Sequence, residues 1–326
     1  MKKLFYLVMA VVLILGCKKE STSYEGNWIK QSDFEGFKRG DAVSFVIDGK
    51  VFFVSGYNSN EDEEYMKDFW SYDPKQDYWT RLPDFPGEAR GGAIAFTING
   101  KGYFGIGYNG KEKLKDFWEF DPTTNSWTRK ADFGGSARYG AVGFALLNKG
   151  FIGTGDDGSE NRDFWEYDPA LDQWSQIASV GGSKRQDAMT FTINDKAYVC
   201  GGTNNGVYLT DLWQFDPQSG EWTQKGDIDA NDDWTIKRSG ACAFTLGSKS
   251  YICLGYYSTG IRNDVWEYDP TADTWTRKYD FEGTGRQKAV SFVVNNHAYI
   301  ALGKSSTYFF DDVWEFRPFE EANTDD

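Results

Sequence analysis

The chain has 326 residues, 49 of them acidic against 35 basic, and its net charge of −14 makes nucleic acid and anionic lipid surfaces poor partners. Aromatic residues reach 17%, including 13 Trp, enough to fill broad interfaces between sheets, while no helical period of useful length runs beyond the first 17 residues. A single histidine excludes any metal centre or catalytic set that needs several imidazoles.

In chain order, residues 1–17 read as a targeting segment. Lys2 and Lys3 form a basic start, Leu4 to Leu15 an apolar stretch too short to span a bilayer comfortably, and Ile14-Leu15-Gly16-Cys17 resembles a bacterial lipobox. Cleavage before Cys17 with lipidation of its thiol implies a lipid-anchored protein of the bacterial cell envelope, with a mature charge of −16 once Lys2 and Lys3 are lost. Lys18 follows the cysteine where lipoproteins retained at the inner membrane carry Asp, which by resemblance implies the outer membrane. Lys18-Lys19-Glu20 is similar to the export tags of surface lipoproteins in Bacteroidota, and residues 18–26 read as a polar tether.

From there to residue 318 one unit recurs six times. Arg39, Arg90, Arg138, Arg185, Arg238 and Arg286 each open an Arg-x-x-Ala-x-x-Phe run, at spacings of 51, 48, 47, 53 and 48 residues, and such a period denotes a repeat architecture. A two-residue turn follows, as in Asp48-Gly49 or Asn99-Gly100, whose residues suit the positive φ of a tight hairpin. The second strand closes on a Gly at 56, 107, 155, 202, 255 or 303. After a polar loop of variable length, the third carries Asp-x-Trp at Trp70, Trp118, Trp165, Trp213, Trp266 and Trp314, and in five copies ends in Asp-Pro, where Pro removes a ladder donor. Trp79, Trp127, Trp174, Trp222 and Trp275 mark the fourth strand, so one copy lacks it. Trp28 precedes Arg39 by 11 residues, as Trp79 precedes Arg90, so the N-terminal segment is expected to supply that strand and close a ring with no open edge.

These residues resemble the Kelch family in its six-bladed form. The resemblance covers roughly Trp28 to Pro318, departing from the family only in that the Gly-Gly doublet survives solely at Gly201-Gly202. The expected fold is therefore all-β: a six-bladed Kelch-type β-propeller with four antiparallel strands per blade, spanning residues 27–318 and followed by a polar tail at 319–326. A monomer is expected.

In such a blade the inter-blade connections and the loops between second and third strands emerge on one face. That face gathers the variable segments Tyr57 to Lys67, Tyr108 to Lys115, Asp156 to Arg162, Thr203 to Thr210, Tyr256 to Asn263 and Lys304 to Asp311, with the one inter-blade insertion, Asp227 to Lys237. It is the candidate binding face. Tyr57, Tyr108, Tyr256, Tyr257 and Trp234 are candidate ligand contacts, Trp234 being the one Trp that no repeat position requires. The six arginines start on the same face near the axis. Either they form a cationic funnel for an acidic ligand, as arginines at matching positions do in Kelch adaptors, or each pairs with the Asp of its Asp-x-Trp motif (Asp68, Asp116, Asp163, Asp211, Asp264, Asp312); one-to-one recurrence favours the pairing.

Catalytic and metal readings find little support. Asp227-Ile228-Asp229 opens like a calcium loop, but Asp232 and Arg238 stand where Gly and Glu are needed. Galactose oxidase, a Kelch-repeat enzyme, needs histidine ligands for copper, and His297 lies on the opposite face where five blades have Lys, so no cofactor or metal is expected. Cys200, Cys242 and Cys253 read as small apolar fillers, although a turn at Gly247-Ser248 sets Cys242 opposite Cys253, within reach of a disulfide in an oxidising compartment. Two functions follow: binding of a protein or glycan at the loop face, which is preferred, or a periplasmic sugar epimerase or mutarotase, because sialate mutarotases are six-bladed Kelch proteins. The second needs an acid/base near the axis, for which Asp41 and Asp187, two residues after their arginines, are the candidates, and an isolated carboxylate of raised pKa there is the discriminating feature.

Overall fold

The computed structural model describes residues 24–228, 236–258, 260–306 and 308–323, and all the regular structure among them is β. No helix among the described residues is long and apolar enough to cross a membrane. Six four-stranded antiparallel sheets stand around a common axis. In the second blade the strands are Ile94–Ile98, Lys101–Tyr108, Lys113–Asp121 and Ser126–Lys130, paired in sequence order.

Local chemistry accounts for each strand. Along Ile94–Ile98 the buried Ile94, Phe96 and Ile98 alternate with Ala95 and Thr97, the period of two that a strand imposes. The first hairpins take the tight turn, with both central residues at positive φ in Asp48-Gly49 and Asn99-Gly100, and also in Leu147-Asn148, which lacks the usual Asx-Gly signature. That turn sets the recurring Phe opposite an aromatic of the second strand in every blade: Phe45↔Phe52, Phe96↔Tyr103, Phe144↔Phe151, Phe191↔Tyr198, Phe244↔Tyr251 and Phe292↔Tyr299. The rings stack 5.0–6.1 Å apart.

There is no single core. Buried residues form six clusters, each lying between two adjacent blades, such as Phe45, Phe52 and Phe69 of blade 1 with Phe104 and Phe120 of blade 2. Blades approach closely enough that a Cβ on Gly102 would fall 2.1 Å from the Phe45 ring. The glycines that close the second strands have φ between +80° and +133°, and each amide donates to the carbonyl of the next blade's arginine, Gly56 to Arg90 and onward to Gly303 with Arg39.

The ring closes as expected. Glu25–Lys30 lies outermost in the sixth blade, against Val313–Glu321, with Trp28 opposite Phe316. Trp28 is fully buried and packs on Phe316 and Phe281, at 4.5 and 4.8 Å between ring centroids. The paired segment reaches slightly past the expected limits of 27 and 318. Pro318 sits within the strand because the ladder shifts register between Glu25 and Asn27 and pairs again at Glu25↔Glu321.

Candidate functional site

The loop face is built on a girdle of six recurring polar units. Each arginine is 0–2% exposed and pairs with the Asp of its own blade's Asp-x-Trp motif, forking onto both carboxylate oxygens in every blade but the fifth, where Arg238 bonds Asp264 Oδ2 and the Asp264 main-chain carbonyl. In blade 2, Arg90 Nη1 reaches Asp116 Oδ1 at 2.5 Å and Nη2 reaches Oδ2 at 2.8 Å. Two more of its donors are used: Nε donates to the Glu88 carbonyl and Nη1 to the Ile106 carbonyl. The Trp118 indole donates to Asp116 Oδ2 at 2.7 Å, and the same indole bond recurs in all six blades. Burial pushes Asp68, Asp116, Asp264 and Asp312 up, but the guanidinium and indole donors outweigh it and hold all four carboxyls below the ordinary range. The arginines proposed as ligand contacts (Arg39, Arg90, Arg138, Arg185, Arg238, Arg286) are thus enclosed and engaged, and do not form an open cationic funnel.

Inside the girdle, the residues two places after the arginines form a throat around the axis. Their amides close a circle: Gly92 donates to Asp41, Gly140 to Gly92, Asp187 to Gly140, Gly240 to Asp187, Lys288 to Gly240 and Asp41 to Lys288, at 2.7–3.1 Å. All six have φ between +55° and +64°. Gly adopts this readily and Asp tolerably, whereas for Lys288 it is strained, and such strain persists where the side chain has a task. The Lys288 ammonium contacts Asp187 Oδ1 at 2.5 Å and Asp41 Oδ1 at 3.3 Å, and Lys304 contacts the other Asp41 oxygen at 3.3 Å.

The two candidate acid/base residues are therefore tied together by a cation. Burial raises Asp41, but Lys288 and Lys304 outweigh it and hold its carboxyl below the usual range. Burial lowers Lys288, yet Asp187 and Asp41 outweigh that and its ammonium is held above the ordinary lysine value. Asp41 is neither isolated nor raised, and so lacks the feature that would mark a general acid. Beneath it lie two adjoining axial cavities of about 200 and 240 Å³, walled by the six recurring alanines from Ala42 to Ala289 and by small residues such as Ser44, Gly143 and Ser291.

Around the throat the variable segments are more regular than their sequences suggest. The second and third strands of blade 2 continue as one hairpin to Tyr108↔Lys113, and blades 4, 5 and 6 carry two-residue ladders, among them Tyr256–Tyr257 with Gly260–Ile261. Tyr57 and Tyr108 belong to a continuous arc: Phe309, Tyr57, Tyr65, Tyr108 and Tyr139 follow one another at 6.1, 4.9, 5.9 and 5.7 Å between ring centroids, from blade 6 to blade 3. Tyr256 and Tyr257 lie across blades 4 and 5 with Tyr208. Sequence reasoning missed Tyr65, Tyr139, Tyr208 and Lys288. Tyr139 was discoverable as the one aromatic directly after a repeat arginine, and Lys288 as the one cation at the position of Asp41 and Asp187. The Tyr65 hydroxyl is pushed up to about 12 by burial, then by Tyr57, Tyr108 and Asp41, so it stays protonated. Beyond it a groove of about 810 Å³ runs between blades 2 and 3, lined by Tyr108, Lys111, Glu112, Lys113, Ser136, Ala137, Tyr139 and Asp157.

Trp234, Cys17 and most of the calcium-like segment lie outside the described residues. Among the described residues no group of acidic, His or Cys side chains could hold a metal ion. His297 sits on the opposite face, half-exposed, with Nδ1 2.6 Å from Glu315. Cys242 and Cys253 are opposite in register as buried thiols, and burial and the Cys242 contact push Cys253 up, away from nucleophilic use.

Comparison with known proteins agrees with this architecture. The KLHDC2/KLHL20/DRC7 Kelch-repeats domain matches residues 185–322 and the Kelch motif residues 38–86. The N-acetylneuraminate epimerase of Escherichia coli O157:H7 is 29% identical over 94 residues, covering 28% of this chain and 26% of the relative. Those of Shigella sonnei (strain Ss046) and Escherichia coli (strain K12) are 28% identical over the same shares. The chain thus spans only 26% of the length of these curated relatives. The solved structure of YjhT aligns with a TM-score of 0.73 at 17% identity, over 87% of this chain and 95% of that one, a likeness of fold.

Proposed function

On this scaffold, a Kelch-repeat six-bladed β-propeller, we propose that the loop face is a glycan-binding surface of a lipid-anchored envelope protein. The observation that carries the reading is the arc of part-exposed Tyr57, Tyr65, Tyr108 and Tyr139, seated against the buried Phe309, beside a throat of paired carboxylates and ammonium groups. Aromatic faces stack on the C–H faces of sugar rings, while Asp41, Asp187, Lys288 and Lys304 offer acceptors and donors to hydroxyl groups. A protein partner is the other occupant of the same face, and a glycan array probed with the full-length protein separates the two. Defined oligosaccharide hits support the glycan reading; a blank array with a protein captured through the same tyrosines would replace it. Anchoring is proposed at Cys17, in the outer membrane, and Cys17→Ser is expected to move the folded protein to the soluble fraction.

A second reading is favoured by the partial likeness to N-acetylneuraminate epimerases: a sugar epimerase or mutarotase with Asp41 or Asp187 as acid/base. It is the weaker one, because Asp41 is held ionised between two lysines and Asp187 lies 2.5 Å from Lys288. Anomeric exchange of N-acetylneuraminate, followed by NMR and lost in Asp41→Asn, would reinstate it.

A further inference from the structure

Granting that the loop face binds glycan, we infer that its ligand is an uncharged oligosaccharide, with one end at the throat and the chain running outward over blades 1 to 3. Charge selects the class. A carboxylated sugar would need a cation to receive it, and the six arginines that could fork onto a carboxylate are buried and already paired with aspartates. At the throat Lys288 is shared between Asp41 and Asp187 and Lys304 is bonded to Asp41, so two carboxylates balance two ammonium groups. Lys113 is likewise paired, with Asp156 at 2.9 Å. An incoming carboxylate would meet this neutral cluster on a chain of net charge −14, and of the two lysines that line the groove Lys113 is held by Asp156 while Lys111 lies at the exposed rim beside Glu112. Sugar hydroxyls face no such penalty: they donate to the aspartates and accept from the lysines without disturbing either pair.

The path is set by the aromatics. Tyr65 packs at 4.9 Å on Tyr57 and 5.9 Å on Tyr108, bridging blades 1 and 2, and Tyr108 leads to Tyr139 at the mouth of the groove between blades 2 and 3. Tyr139 precedes throat Gly140 and packs against throat Gly92, so a monosaccharide at the throat already meets it, whereas a longer chain continues past it into the groove along Ala137 and Asp157.

The test is calorimetric titration of the full-length protein with uncharged di- and tetrasaccharides and with uronate- or sialate-bearing oligosaccharides of equal length. The expected result is uncharged ligands binding at least about tenfold tighter than charged ones, a step equal to about 1.4 kcal/mol. Affinity should rise from di- to tetrasaccharide, with the gain removed by Ala137→Trp, which fills the groove, and all binding weakened by Tyr65→Ala, in variants whose melting is checked first. Preference for the charged series, or a tetrasaccharide gain indifferent to Ala137→Trp, overturns the inference while leaving glycan binding in place. Binding of neither series removes the functional reading itself.

Discussion

Two sets of ion pairs lie within a few residues of each other on the loop face, and they obey different rules. The girdle repeats one Arg–Asp–Trp unit six times, its arginines buried and in five blades bidentate, because every blade must anchor the start of its first strand to its third. The throat uses the next available position, two residues on, and fills it with Asp41, Gly92, Gly140, Asp187, Gly240 and Lys288. Six-fold symmetry therefore ends where the axis opens to solvent. What recurs holds the ring together, and what differs is free to recognise a ligand.

Opening the ring removes the frame both regions share and should have the largest effect. Deleting Tyr24 to Gln31 takes out the buried Trp28, worth about 3 to 5 kcal/mol as a core aromatic, and bares an edge of Val313–Glu321. An unfolded or oligomeric protein is expected in light scattering and circular dichroism; a monomer with unchanged melting would refute closure by that strand. Next, Arg90→Met leaves the part-buried Asp116 without its cation and should cost about 3 kcal/mol in urea unfolding. A cost under about 1 kcal/mol would show the girdle to be ornamental.

Acid separates the regions less strongly. The carboxyls of Asp68, Asp116, Asp264, Asp312 and Asp41 all sit below their ordinary value in the fold. A depressed folded pKa gives stability that is complete above the unfolded value, about 3.9, and is lost as pH falls through the folded one. Melting temperature should be nearly level from pH 7 to about 5 and drop below about 4, and Asp41→Asn should make the drop shallower. Smallest of all, Asp187→Asn keeps a polar partner for Lys288 at a partly solvated site and should cost only about 0.5 to 1.5 kcal/mol while leaving the throat with an excess positive charge. Affinity for a carboxylated sugar should then rise relative to an uncharged one; no change would mean that the ligand does not reach the throat.

The girdle and the ring closure were legible because repetition averages out local ambiguity. Six copies of Arg-x-x-Ala-x-x-Phe with Asp-x-Trp identify partners by their equal number, and the unpaired Trp28 announces the closing strand. The throat was legible only in part. Asp41 and Asp187 stood out when carboxylates were sought, but Lys288, at the same position, bridges the two and holds Asp41 below its ordinary range, and a search for carboxylates passes over a lysine. The arc escaped for a different reason. Tyr65 and Tyr139 occupy non-equivalent positions, one in a loop and one after an arginine, and only the angular order of blades brings both beside Tyr108. Nor did polar loop sequences reveal that four of the six connections would continue as hairpins, since that depends on the strands beneath them.

The most direct test of the division between frame and recognition is to measure unfolding free energy and oligosaccharide affinity on the same preparations of Arg138→Lys and Tyr65→Ala. Lys cannot reproduce the fork onto Asp163, so Arg138→Lys should lose stability by a few kcal/mol and, while folded, bind with unchanged Kd. Tyr65→Ala should show the reverse, with stability changed by about 1 kcal/mol and affinity reduced at least about tenfold. An Arg138→Lys protein of undiminished stability that no longer binds would contradict the account, because it would place the arginines among the ligand contacts.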